Sequence, residues 1–302
     1  MLEINSSLSW YDHGYWIRKW ISWPSWLPLP LHADHGLTFS GLLEEHEYKS
    51  STKIFLTWNS HRYSWLKTTC KKKIFLIPHP YLTMLAEKYL EASHDKRGTL
   101  VFWPHSCPEA VLIEGYIDTY LQELEQLADD QLPISICIHY HDMKDNLLLK
   151  RLSKYQVVTA GSPFEQGFSD KLFSLITSHQ FATSSLIGSY TPLCEVIGAS
   201  FFLYGSRPQY VNPRSQQLVK RHSLDPLNRW LNNSFELIFS HNSNPLDSQR
   251  YQLVREVMGC ESNVSKSWLR LLMILELLRL CFSTLYLIRL IKHHVIILVK
   301  GK

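Results

Sequence analysis

The 302-residue chain lacks most of the short signatures that announce a chemistry. There is no Gly-x-Ser-x-Gly elbow, no P-loop and no Gly-x-Gly-x-x-Gly fingerprint, which removes the simplest routes to a serine hydrolase, a P-loop nucleotide hydrolase or a dinucleotide oxidoreductase. There is no His-Glu-x-x-His and no Cys/His cluster. His139 and His141 alternate along one predicted strand with only His105 as an obvious third ligand, so no metal is expected. Six cysteines, at positions 70, 107, 137, 194, 260 and 281, lie far apart without Cys-x-x-Cys spacing. That usage argues for reduced, buried thiols of a cytosolic protein and against a disulfide framework. The net charge of +4 comes without a long basic block, which gives nucleic-acid binding no support. The opening residues MLEINSSLSWYDHGYW contain no apolar core of a secretory leader. A cytoplasmic location is therefore expected.

What is present describes a globular α/β protein. Hydrophobic residues make up 45% and charged residues 19%, and the length suits two domains of ordinary size. Ten tryptophans and fifteen tyrosines are many; such rings serve cores, sugar sites and membrane-facing surfaces alike. Trp16, Trp20 and Trp23 fall at helical spacing in an aromatic opening segment. Strands are predicted at KIFLTWN (53–59) and KIFLIPHP (73–80), followed by a helix in PYLTMLAEKYLEA. A polar run, Ser93 to Gly98, marks a boundary. Beyond it TLVFWP, ISICIHY and QVVTAG read as strands alternating with helices in DTYLQELEQLADD, DNLLLKRLSKY and QGFSDKLFSLITS. Such alternation predicts a parallel, doubly wound sheet, whose ligands bind at the carboxyl ends of the strands.

The stretch SHQFATSSLIGSYTPLCEVIGASFFLY (178–204) reads as strand, polar turn, helix and strand. Pro192 suits a first helical turn, Ser189 and Thr191 are candidate caps, and Gly188 allows close approach. A helix N-terminus beside hydroxyls can receive a phosphate or carboxylate, and Glu195 one turn in can accept bonds from sugar hydroxyls. An ordinary βαβ turn without a ligand would look the same. Four strand ends should crown one sheet edge: Pro104-His105-Ser106, His139 to Asp142, Thr159 to Ser162 including Gly161, and Thr183-Ser184-Ser185. Together with Gly188-Ser189-Tyr190-Thr191 they make the candidate ligand locus.

The ordered segments LHADHG, KIFLTWN, IFLIPHPYL, TLVFWPHS, VVTAGSPF and TSSLIGSYTPLCEVIGASFFLYG, from about Leu29 to Gly259, resemble those of GT-B glycosyltransferases, and more closely the glycosyltransferase-like proteins of bacterial capsule and lipopolysaccharide biosynthesis. The resemblance implies two Rossmann-like domains facing a cleft, the first one short, plus a long C-terminal helix. It implies a nucleotide-sugar co-substrate held by the second domain without a resident cofactor, and a glycan or lipid-linked acceptor. His105 and Ser106 would then lie near the donor diphosphate or a sialyl-type carboxylate. Glycosyl transfer needs a base for the acceptor hydroxyl, and Asp34 or His35 in the turn before Gly36 fits that role; a structural loop pair fits the residues equally. A first domain of about 95 residues is short for this architecture. A non-catalytic binding or scaffold protein at the membrane, or a sugar-nucleotide epimerase, are the alternatives.

Three units are expected: 1–95 on the acceptor side, 96–264 for the nucleotide-sugar, and a tail at 265–302. The tail is rich in Leu and Ile with interspersed Arg and Lys, and its longest charge-free run, Leu280 to Ile288, is too short to span a bilayer. It reads either as an interfacial helix on the inner face of the plasma membrane, with cations snorkelling, or as a helix packed across the domains.

Overall fold

The computed structural model describes residues 9–88, 96–107, 110–219, 225–240 and 248–282. The protein is α/β with parallel sheets. A three-stranded sheet, β1 (His32–Ala33), β2 (Ile54–Thr57) and β3 (Lys73–Leu76), is parallel in the order β1-β2-β3. A five-stranded parallel sheet follows, from β4 (Thr99–Phe102), β6 (Ile134–Cys137), β7 (Gln156–Val158), β8 (Phe181–Ser184) and β9 (Ser200–Leu203). Its order is β7-β6-β4-β8-β9. The first strand is central and the later ones add on either side, so the winding reverses between β4 and β8. A short antiparallel pair, β5 (Val111–Leu112) with β10 (Tyr210–Val211), stands apart.

β4 and β6 are buried at every residue, as strands covered on both faces must be. Helix α7 (Phe168–Thr177) presents Leu172, Phe173 and Ile176 to one side. On the other side Tyr116, Tyr120 and Leu124 of α5 (Glu114–Leu124) join Val101, Ile136 and Phe202. The predicted DTYLQELEQLADD helix thus starts earlier and ends at Leu124. Helix α8 (Tyr190–Ile197) stops at Gly198, whose left-handed backbone (φ 85°) returns its N–H to the Cys194 carbonyl at 2.9 Å. Helix α9 (Pro226–Phe239) buries Leu227, Leu231, Phe235 and Phe239, spaced four apart. Each such side chain contributes about 1.5–3 kcal/mol. All six cysteines are free: Cys137 and Cys194 are buried as expected, Cys70, Cys107 and Cys260 are half-buried, and Cys281 is exposed, which departs from the expectation of buried thiols.

The first half draws its core from distant parts of the chain. Ile17 and Ile21 of α1 (His13–Ile21), Leu29, Leu31, Ile54, Leu56 and Trp58 pack with Leu269, Leu272 and Met273 of α11 (Lys266–Phe282). A short three-stranded sheet is completed by one helix from each side of the sequence. The predicted tail is therefore, over 266–282, part of the first half's core; residues 283–302 lie outside the described residues, as do residues 93–95 of the predicted boundary at 93–98.

Beneath the sheet's rim, helix α3 (Ser60–Thr69) supplies Arg62, which is wholly buried. Its Nε donates to Asp34 at 2.9 Å, its Nη1 donates to the Ser40 carbonyl and to the Leu42 carbonyl at 2.8 Å, and Glu47 of α2 (Glu45–Lys49) lies 3.5 Å from Nη2. Burial raises the Asp34 carboxyl and pushes Glu47 up to about 7, although Arg62 draws both back down. Asp34→Ala leaves the guanidinium buried without its main counter-charge, and should lower stability by about 3–5 kcal/mol. In urea unfolding the midpoint should fall accordingly, whereas Glu45→Ala, in an exposed pair with Lys49, should leave it nearly unchanged.

Candidate functional site

A cavity of about 360 Å³ lies at the carboxyl ends of β4, β6, β7 and β8 and is lined from the opposite side by the first half. This is the edge where the winding reverses, the place where open parallel sheets hold ligands. The second half contributes Trp103-Pro104-His105 after β4, His139 after β6, Thr159-Ala160-Gly161 after β7, and Leu186 to Tyr190 ahead of α8. Tyr11, His13, Gly36, His79 and Tyr81 line it from the first half.

Local chemistry explains how the first half reaches across. Tyr11 and Asp12 both adopt left-handed backbone, with φ 58° and 59°, a conformation that costs a non-glycine residue roughly 1–2 kcal/mol. The turn aims Tyr11 and His13 into the cavity while freeing the Asp12 carboxylate to cap α7. It accepts from Ser169 N–H at 2.9 Å, Ser169 Oγ at 2.8 Å and Gly167 N–H at 3.3 Å. Trp16 Nε1 donates to the same Ser169 hydroxyl at 3.0 Å. Gly36, at φ 98°, approaches so closely that an added Cβ would lie 2.7 Å from Ser189 Oγ, and the next amide, Leu37 N–H, donates to that oxygen at 2.7 Å.

The walls are aromatic and imidazole-rich. His13, Trp58, His79 and Tyr81 pack edge-to-face with centroids 4.8–5.4 Å apart. Burial, helped by neighbouring His35, pushes His13 down to about 3, and burial beside His13 holds His79 well below the usual imidazole range. His79 Nδ1 accepts from Tyr81 N–H at 3.1 Å, so its proton sits on Nε2. Opposite, His139 stacks on His105 at 4.8 Å and is pushed down to about 4 by burial and by His105 and His141. Its buried Nδ1 has no hydrogen-bond partner. Tyr190 stacks on Phe102 at 4.2 Å and donates to Ser184 Oγ at 3.0 Å. Neutral imidazoles and hydroxyls thus face one space, and among the described residues no carboxylate, Lys or Arg lines it.

Of the residues singled out from sequence, His105, His139, Gly161, Gly188, Ser189 and Tyr190 come together here. Others are placed elsewhere. Asp34 is 0% exposed, with one oxygen on Arg62 and the other accepting from Thr57 Oγ1 at 2.6 Å, so it does not face the cleft as a base. Glu195 is not among the cavity's lining residues; its Oε1 lies 3.2 Å from Arg250 and accepts from Phe201 N–H at 2.8 Å. His35 packs on Trp10 at 5.1 Å, with Glu44 3.7 Å from its ring. Ser106 accepts from Leu112 N–H, Ser184 donates to the Phe102 carbonyl, and Ser185 bonds Tyr116 on the far face. Thr191 accepts from Gly188 N–H at 3.2 Å and so holds the turn, whereas Ser189 makes no capping bond and accepts instead from Leu37 N–H of the first half. Tyr11, His13 and Tyr81 went unnoticed in sequence, where the only signal was an aromatic segment whose backbone reversal has no glycine to mark it.

No group of three or more His, Cys, Asp or Glu among the described residues is placed to hold a metal ion. In comparison with known proteins, the chain matches no family model and no curated sequence.

His13 offers a titration with a definite sign. The unfolded chain takes up its proton near pH 6.5, the folded protein only near 3. Between those values the unfolded state binds more protons, so acid removes stability. Relative to His13→Phe, the wild type should lose up to about 1.4 kcal/mol per pH unit as pH falls from 6.5 toward 4. Parallel urea titrations of the two proteins measure this, because groups common to both cancel.

Proposed function

We propose that this chain is a nucleotide-sugar-dependent glycosyltransferase of GT-B type, acting in bacterial surface-polysaccharide assembly on a glycan or lipid-linked acceptor. The observation that carries the proposal is the cavity at the reversal point of the five-stranded sheet, roofed by a second parallel α/β unit. Its volume, about 360 Å³, lies in the range of small-molecule sites. The resemblance of the ordered segments from Leu29 to Gly259 supports the same class.

In this reading the donor phosphates lie at the turn before α8, with His105 and His139 beside them. His139, neutral before binding, gains a proton more readily next to an anion. The acceptor enters from the first half. There His13, whose imidazole the negative charge of a bound donor would raise from about 3, takes the role of general base that Asp34 cannot fill. The aromatic wall around His79 and Tyr81 excludes water from the reacting centre. A second reading, a non-catalytic binding protein, is favoured by one observation: the described lining residues carry no carboxylate.

Two variants separate these readings. His139→Ala should weaken binding of CMP-, UDP-, GDP- or CDP-linked compounds about 10- to 100-fold in calorimetry. His13→Gln should leave binding within a few-fold and cut release of free nucleotide from the donor by about two to four orders of magnitude. Binding that is equally tight in wild type and both variants, with no turnover in any of them, selects the binding protein. No affinity for any of these compounds rejects the nucleotide-sugar reading.

A further inference from the structure

Helix α11 is built inside out for a helix on a protein surface. Its only carboxylate, Glu276, is 5% exposed, accepting from Lys53 N–H at 2.7 Å and from Arg279. Its outer side is apolar. Trp268, Leu271, Leu275, Leu278 and Phe282 recur at intervals of three and four and are 45–86% exposed, with Ile274 alongside at 47%. Three and four alternating give one continuous stripe along the helix. The 17 residues of α11 extend it over about 25 Å. The opposite side, Leu269, Leu272, Met273 and Leu280, is spent on the core. Both faces are therefore apolar, and among the described residues only one has a protein partner.

We propose that this stripe docks the protein on an anionic lipid surface, with the helix lying in the headgroup layer. Charge decides between occupants. A seam between two copies pairs its apolar stripe with flanking residues of both signs. Here no carboxylate follows Glu276 through residue 302, while Arg289, Lys292, Lys300 and Lys302 occur among Leu, Ile and Val. Near the start of the stripe stand Lys266, its ammonium over Trp20, and Arg270. A sequence of cations and apolar residues without a carboxylate matches a layer of phosphate headgroups over acyl chains, and Trp268 suits the boundary between them. No described helix is long and apolar enough to cross a membrane. The inference rests on α11 and the charge pattern after it, independently of any ligand in the cavity.

Co-sedimentation of the full chain with vesicles tests it, using phosphatidylcholine alone or mixed with phosphatidylglycerol. The protein should bind the mixed vesicles and release as salt rises. Leu271→Ser, Leu275→Ser and Leu278→Ser together should lower partitioning at least about tenfold, with the urea midpoint retained because all three side chains are exposed. Arg289→Gln with Lys292→Gln should cost about 10- to 30-fold on anionic vesicles and nothing on neutral ones. Failure of the full chain to bind anionic vesicles at low salt overturns the proposal, as does equal binding by the serine variant. A dimer in sedimentation that the serine variant alone dissolves, without vesicle binding, assigns the stripe to a second copy and overturns it too.

Discussion

The Arg62 guanidinium is the constraint on which the first half's share of the cavity depends. Its donors hold Asp34, the Ser40 and Leu42 carbonyls and, at longer range, Glu47. They thereby fix the whole loop from 34 to 42 from beneath. Trp58 Nε1 to the Gly36 carbonyl and Asn59 Nδ2 to the Thr38 carbonyl, at 3.0 and 3.1 Å, complete the clamp. The clamped loop is what touches the second half: Leu37 N–H reaches Ser189, and Ser40 and Gly41 donate to Asp225, the cap of α9. A charge buried with its partners satisfied is worth little as net stability, yet it leaves the loop one arrangement. Gly36 can then sit against Ser189 with no room for a side chain.

A second set of ties acts from the N-terminal segment. Asp12 and Trp16 converge on Ser169, so the strained turn at Tyr11 and Asp12 is held by charge-assisted bonds of the kind that outweigh a strain of this size. The two sets enter the cleft at different points, and between them lies the space walled by uncharged imidazoles. Burial keeps those rings neutral, which suits groups that must accept or donate one bond without bringing a fixed charge of their own.

The parallel sheet was legible because strands covered on both faces, such as TLVF and ISIC, read as unbroken apolar runs between helical periods. The strand ends at His105, His139 and Gly161 were legible for the same reason: once the alternation is set, so is the edge. Individual roles were less so. A carboxylate before a glycine at a strand end looks alike whether it awaits a ligand or an arginine 28 positions on, and Asp34 proved to be the second kind. Glu195, claimed by Arg250 from α10 (Ser248–Val257), repeats the lesson. Tyr11 and His13 escaped because a left-handed turn without glycine leaves no mark in composition. For the tail, apolar residues and cations were evident, but which face the core would claim depends on a partner sheet more than 200 residues earlier.

That last pairing bears on how the chain comes to be folded. During synthesis β1, β2 and β3 emerge early, but Leu269, Leu272 and Met273, which close their core, emerge after the whole five-stranded sheet. The second sheet needs only residues 99–203 to pair all its strands. Its contacts are closer in sequence and form at lower entropic cost. The half that leads in sequence thus finishes last, and until it does its apolar strands are exposed to the surroundings, a period in which a nascent chain is open to chaperones and to misassociation.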